Sequence, residues 1–188
     1  MNLTDNLFVG KLVRLAAPVP ADHASMVRWT ENLEYGRMYD SQPAQPRGTE
    51  FWVDGDKEVK EDKNAYSFRI RVLEDDKLIG LMGLWVSWSN QVCWLSIAIG
   101  EPDYWGRGYG SDALRLGINY AFRELGLYKV MLSVFSYNTR AIKAYEKVGF
   151  VHEGRQRAAL YRDGQHYDML LMGILRPEWE ARLKESTS

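Results

Sequence analysis

The segment Trp105-Gly106-Arg107-Gly108-Tyr109-Gly110-Ser111-Asp112 joins a run patterned as a strand, Val92 to Gly100, to a run patterned as a helix. In the second run Leu114, Ile118, Ala121, Phe122 and Leu125 recur at helical spacing until Gly126 stops it. At such a junction the unpaired N–H groups of the first helical turn and the positive end of the helix dipole converge. Glycines at alternate positions let the backbone approach an anion with no Cβ in the way, and Arg107 can add a charge-assisted contact. The chemistry suits a pyrophosphate. No Gly-Lys-Ser/Thr follows, and the glycine spacing is not G-x-G-x-x-G, so ATP-loop and dinucleotide-loop readings lose their support. A tight turn whose glycines only solve a backbone problem, with Ser111 or Asp112 complementing the dipole, is the plain alternative.

The chain around this junction has 188 residues, which suits a single domain over 1–188 with a core of its own. Lys and Arg number 24 against 25 Asp and Glu, too balanced to hold a nucleic-acid backbone, so no nucleic-acid partner is expected. A lone Cys93 and three histidines offer neither a disulfide nor a Cys/His metal set, so no metal is expected. No apolar run reaches the roughly 18 residues of a membrane span, and the N-terminus lacks a leader pattern. A soluble, cytoplasmic protein with no membrane partner is the expectation.

Leu12 to Leu15 reads as a first strand and Ala21 to Asn32 as a helix. Ser41 to Lys63, broken by Pro43, Pro46 and Gly48 and then almost wholly charged, reads as a surface excursion that could include a short helix. Three antiparallel strands follow, then the glycine segment and its helix, a strand from Lys129 to Phe135, and a helix from Asn138 to Val148. Two strands turned at Asp163-Gly164 end the pattern. The reading is an α+β fold: a central mixed, mostly antiparallel sheet of about seven strands flanked by helices.

In Asn138-Thr139-Arg140-Ala141-Ile142-Lys143-Ala144-Tyr145 the asparagine is a good N-cap, and Tyr145 follows about 10 Å along the helix. The pair could engage two points of one extended ligand. Tyr145 also belongs to an apolar stripe with Ile142 and Val148, which by itself reads as core.

Taken together, IAIGEPDYWGRGYGSDAL, NTRAIKAYEKVGF, FVHEGRQRAALYRDG and HYDMLLMGILRPEW, in this order between about Leu78 and Leu175, resemble the GNAT superfamily of acetyl-CoA-dependent N-acetyltransferases. The likeness is to its RimJ/RimL-type branch, which includes ribosomal-protein N-terminal acetyltransferases and is similar to spermidine acetyltransferases. The first seventy residues match only loosely. The resemblance implies an acyltransferase that moves an acetyl group from acetyl-CoA to a small amine or peptide N-terminus by direct attack in a ternary complex. A non-catalytic acyl-CoA-binding sensor of the same fold is the rival, and a homodimer stays open.

Residue by residue, the resemblance places the coenzyme pyrophosphate on Arg107, Gly108, Tyr109, Gly110 and Ser111 and the pantetheine arm on Asn138 and the strand edge near Ile97 and Ile99. It assigns Tyr145 as general acid toward the departing thiolate. Trp105 stands where relatives usually have Gln or Arg. Trp94 stands where many relatives carry a glutamate base, which leaves Glu101, Asp103, Glu153 or His166 acting through water as candidates. Cys93, in an apolar strand with no base nearby in the pattern, reads as core rather than nucleophile. The resemblance puts the acceptor among Trp29, Tyr35, Tyr39 and Trp85, aromatics able to stack on an amine-bearing ligand or to serve as core. Glu31, Glu34, Asp40 and Glu50 make this region mildly acidic, which is compatible with a cationic acceptor.

Overall fold

The computed structural model describes residues 6–185. Its strands are β1 (Val13–Ala16), β2 (Ala65–Val72), β3 (Leu78–Ser87), β4 (Val92–Ile99), β5 (Lys129–Phe135), β6 (Val151–Arg162) and β7 (Gln165–Leu175). They form one sheet in the order β1-β2-β3-β4-β5-β7-β6, antiparallel throughout except for the parallel β4–β5 contact. The expected mixed, mostly antiparallel sheet of seven strands is therefore what forms.

Alternation along the strands builds two layers of helix on this sheet. Leu84 and Val86, Cys93 and Leu95, Val130, Leu132 and Val134, and Met172 and Ile174 face one side, where they pack on α4 (Tyr109–Asn119) and α5 (Thr139–Val148). Trp179 of α6 (Arg176–Glu185) joins this core, and its Nε1–H donates to Asn119 at 3.0 Å. On the other side Leu78, Leu81 and Ala98 pack on α1 (His23–Thr30), α2 (Leu33–Tyr39) and α3 (Thr49–Glu61) through Met26, Trp29, Tyr35 and Trp52. Helix α4 lies so close to the sheet that a Cβ on Gly117 would stand 2.5 Å from the Met82 sulfur. After α4 the chain makes a π-helical turn, Tyr120–Glu124, which re-aims Tyr120 onto Phe68 at a centroid distance of 5.1 Å.

The excursion expected over Ser41 to Lys63 is corrected: Thr49–Glu61 is a helix of 13 residues. Its solvated face carries the charge run that conceals it in sequence, and Trp52 is the residue it buries. The terminal helix α6, absent from the sequence reading, likewise has little apolar periodicity and docks by Trp179. Among the described residues no helix is long and apolar enough to cross a membrane, and no group of three or more His, Cys, Asp or Glu side chains gathers to hold a metal ion.

Asp112, expected only to complement the α4 dipole, ties the N-terminal segment to the helix. Its Oδ2 accepts the backbone N–H of Lys11 and Leu12 at 2.8 Å each and of Val13 at 3.2 Å. A carboxylate receiving N–H groups is a charge-assisted contact stronger than a neutral one. Asp112→Ala is expected to lower unfolding free energy by about 2–3 kcal/mol in urea titrations, because three backbone donors lose an ionised partner.

Candidate active site

Strands β4 and β5 pair over only Val92↔Lys129, Cys93↔Val130 and Trp94↔Met131. Beyond them β4 keeps its ladder with β3 as far as Ile99↔Gly80, while β5 keeps its ladder with β7 as far as Phe135↔Met169. The sheet therefore opens like a V. Leu95 to Ile99 turn one unpaired backbone edge toward Ser133, Val134 and Phe135 across a cleft of about 800 Å³. Unpaired strand edges present N–H and C=O groups in a row, ready for a ligand with amides of its own. Ile97 and Ile99 both line the cleft.

The glycine segment closes one end of it. Gly106 and Gly108 have φ of +70° and +94°, values that favour glycine. Gly106, Gly108, Gly110 and Ser111 all line the cleft, so the first turn of α4 opens toward it. A Cβ on Gly110 would already touch Ile99 Cγ1 at 3.6 Å, and a larger side chain would extend from there. Arg107 and Tyr109 do not line the cleft. Arg107 is exposed, with Nη1 donating to the Asp103 carbonyl at 3.1 Å, and Tyr109 packs edge-on against Tyr104 at 4.9 Å. Trp105, at the position where relatives usually have Gln or Arg, gives its Nε1–H to the Ile99 carbonyl at 2.7 Å and carries the Arg140 guanidinium 4.0 Å above its ring.

Helix α5 supplies a row of cations that sequence reasoning missed: Arg140, Lys143 and Lys147 line the cleft. Their spacing of three and four residues puts them on one helix face, and that period is the signal that would have found them. Asn138 caps α5 by accepting the Ala141 N–H at 3.2 Å, while its Nδ2 reaches the Met38 carbonyl of α2 at 3.5 Å. Tyr145 is 8% exposed, packs edge-on against Phe150 at 5.9 Å and lines the cleft, so it serves as core and cleft wall at once. Burial pushes its phenol up to about 12 from the ordinary 10; it carries its proton at neutral pH at either value.

Of the four aromatics expected to receive the acceptor, Tyr35, Tyr39 and Trp85 line the cleft, and Trp29 does not. Trp29 is buried beneath Gly100, where an added Cβ would stand 2.0 Å from the indole, and its Nε1–H donates to Glu101 at 2.7 Å. Tyr35 stacks on Tyr39 at 5.5 Å, and its hydroxyl is buried with no hydrogen-bond partner among the described residues. The Trp85 indole lies back over Gly83, whose absent Cβ would stand 2.4 Å from it, and Trp94 faces it directly across the β3–β4 ladder.

None of the four carboxylate or histidine candidates for a base lines the cleft. Burial acts to raise Glu101, but hydrogen bonds from Trp29 and Arg28 and the charges of Arg28 and Lys77 outweigh it and hold the carboxyl below its ordinary value. Glu153 pairs with Lys129 at 2.7 Å, His166 packs at a tilt against Tyr161 at 5.0 Å, and Asp103 sits in the short 3-10 turn before the glycines. Among the described residues, the carboxylate that lines the cleft is Asp40. Cys93 is fully buried, and burial lifts its thiol to about 12, as befits a core residue.

Comparison with known proteins gives a consistent set. The acetyltransferase (GNAT) domain profile matches residues 13–151. An uncharacterized SPbeta prophage-derived N-acetyltransferase of Bacillus subtilis, YokL, is 30% identical over 130 residues, covering 69% of this chain and 70% of that protein. The spermidine N(1)-acetyltransferase of Escherichia coli K12 is 35% identical over 84 residues, 45% of either chain. A crystal structure of the Vibrio cholerae spermidine N-acetyltransferase in complex with CoA and spermine superposes with a TM-score of 0.80, covering 89% of this chain and 98% of that one at 22% identity.

The buried phenol has a measurable consequence for stability. Above pH 10 the unfolded chain loses the Tyr145 proton while the folded chain holds it to about 12, so unfolding is favoured increasingly across that window. Below pH 10 this contribution is fully present. Tyr145→Phe should flatten the alkaline loss of stability by about 3 kcal/mol between pH 10 and 12, read as the difference between wild-type and variant urea midpoints along the pH series.

Proposed function

The chain belongs to the GNAT acetyltransferase family, and on that premise we propose that its cleft binds acetyl-CoA and transfers the acetyl group to a primary amine, with Tyr145 as the proton donor. The observation that carries the reading is the convergence of three features on one cleft: the unpaired edge of Leu95 to Ile99, the glycine-opened start of α4, and the protonated Tyr145. An acyl-CoA fits what lines it. Its phosphates suit the backbone donors of Gly108 to Ser111 with Arg140, Lys143 and Lys147 nearby, and its amide-bearing arm suits a strand edge without a partner.

When bound, acetyl-CoA supplies a thioester whose carbonyl an amine can attack. The chain's own residues provide the rest. The β4 edge aligns the arm by backbone hydrogen bonds and can turn an N–H toward the carbonyl oxygen, where charge develops. Asn138, fixed as the α5 cap and tied to Met38, holds the α5 start against α2, so that donor and acceptor sides of the cleft stay in register. Tyr145 keeps its proton at neutral pH and can give it to the departing sulfur. Tyr39, Trp85 and Trp94, each about two-fifths exposed, offer faces against which an amine can be desolvated and oriented. The acceptor's identity, whether a peptide N-terminus, a polyamine or another small amine, rests on this aromatic end of the cleft.

Acetyl-CoA at about 100 times Kd should stabilise the fold by roughly 2.7 kcal/mol and raise Tm by several degrees. Gly110→Val should abolish that shift while the protein stays folded, whereas an undiminished shift would reduce the glycine segment to a turn. With an amine acceptor and saturating acetyl-CoA, Tyr145→Phe should lower kcat by about 100-fold with little change in cofactor affinity, since the ring volume is kept and the proton donor lost. Equal kcat values for the two proteins would remove Tyr145 from the reaction.

A further inference from the structure

Asp40 brings a negative charge into a cleft whose other charged walls, Arg140, Lys143 and Lys147, are cations. It stands just after α2 in extended backbone, with φ −122° and ψ 145°, and its Oδ1 accepts the Gln42 N–H at 3.0 Å. No cationic side chain pairs with the carboxylate among the described residues. It shares its end of the cleft with Tyr39 and with Tyr35, whose hydroxyl is buried and unpartnered.

The backbone that carries Asp40 is held from the opposite end of the sheet. Arg162, the last residue of β6, gives Nη2–H bonds to the carbonyls of Ser41 at 2.7 Å and Gln42 at 2.9 Å, with the Asp40 carbonyl at 3.4 Å. Next to it, Asp163 takes a two-pronged contact from Arg37 of α2 at 2.6 and 2.8 Å. Tyr137, before α5, donates its hydroxyl to the Arg37 carbonyl at 2.6 Å. The turn between β6 and β7 thus clasps the end of α2 and the residues after it, and the Arg162 Nη groups bond carbonyls rather than the Asp40 carboxylate.

We propose that Asp40 selects acceptors carrying a second positive charge beyond the reacting amine, and that Arg162 is the positioning residue that keeps Asp40 facing the cleft; this rests on the reading of the cleft as an amine acetyltransferase site. The reacting nitrogen must be neutral to attack, so a carboxylate beside it would favour the wrong protonation state. A carboxylate that instead grips a distant ammonium, guanidinium or other fixed cation orients the acceptor and leaves its reacting end free. Tyr39, next in the chain to Asp40, and Trp85 line the same cleft and offer ring faces that favour a cation there.

The test compares 1,5-diaminopentane with n-pentylamine, two probes that differ by one ammonium. Turnover is read as thiol release from acetyl-CoA, and binding is read by calorimetry on the protein saturated with CoA. Wild type should favour the diamine, and Asp40→Asn should lower kcat/KM for the diamine about tenfold more than for the monoamine. Arg162→Ala should raise KM for the diamine by a similar factor with KM for acetyl-CoA unchanged, and Arg162→Lys should recover part of it. An unaltered acetyl-CoA-dependent Tm shift shows that each variant is folded. A wild type indifferent to the second charge, or an Asp40→Asn variant that affects both amines equally, overturns the proposal. Diamine binding that depends on Asp40 with no turnover of either amine would uphold the Asp40 subsite and overturn the acetyl-transfer reading instead.

Discussion

The parting of β4 from β5 after three residue pairs is the constraint on which the rest of this molecule depends. A sheet that stays paired satisfies its own backbone and has nothing to offer a ligand. One that splits exposes donors and acceptors, and the fold must prevent both closure and collapse of the gap. Here each half is braced separately: β4 by its antiparallel ladder with β3, and β5 by β7, which is itself paired to β6. Tyr145 and Val148 of α5 fill the interior side of the split without entering the edge.

Helices α1 and α3 are held on the sheet by charge as well as by apolar packing. Arg69 of β2 is 1% exposed, and it contacts Asp56 of α3 at 2.5 Å and Asp22 before α1 at 3.5 Å. Arg71 also contacts Asp22, and His23 contacts Asp56 at 2.9 Å. Buried ion pairs contribute little net stability against well-packed apolar groups, but removing one partner strands the other at a cost of about 3–5 kcal/mol. The network therefore fixes where α1 and α3 sit on the sheet more than how tightly they hold.

What was legible in the sequence follows from which signals the fold leaves exposed. Strand β3 carries a nearly continuous apolar run because both its faces are covered, β4 and β5 alternate buried with less buried positions, and the positions of all three came through nearly residue for residue. The glycine segment was readable because positive φ demands glycine at Gly106 and Gly108. Helices α3 and α6 were not, since each buries a single tryptophan and shows charge elsewhere. At the site, Tyr145, Asn138, Ile97 and Ile99 reach the cleft, whereas Arg107, Tyr109 and Trp29 turn away from it. Their identities gave no sign of direction: an arginine between two glycines can point to either side, and a tryptophan reads the same as a binding face or as the packing under Gly100. Asp40 was one acid among several until Arg162 met the backbone around it, a relation between residues more than a hundred positions apart that no local pattern encodes.

The Trp85 indole rests on a strand position that lacks a side chain, Gly83, and so lies flat along the sheet instead of standing away from it. The depth of the cleft beside Trp85 thereby depends on the absence of a side chain at one position of β3. A side chain at position 83 would displace that ring and reshape the space beside it without changing any residue of the glycine segment or of α5.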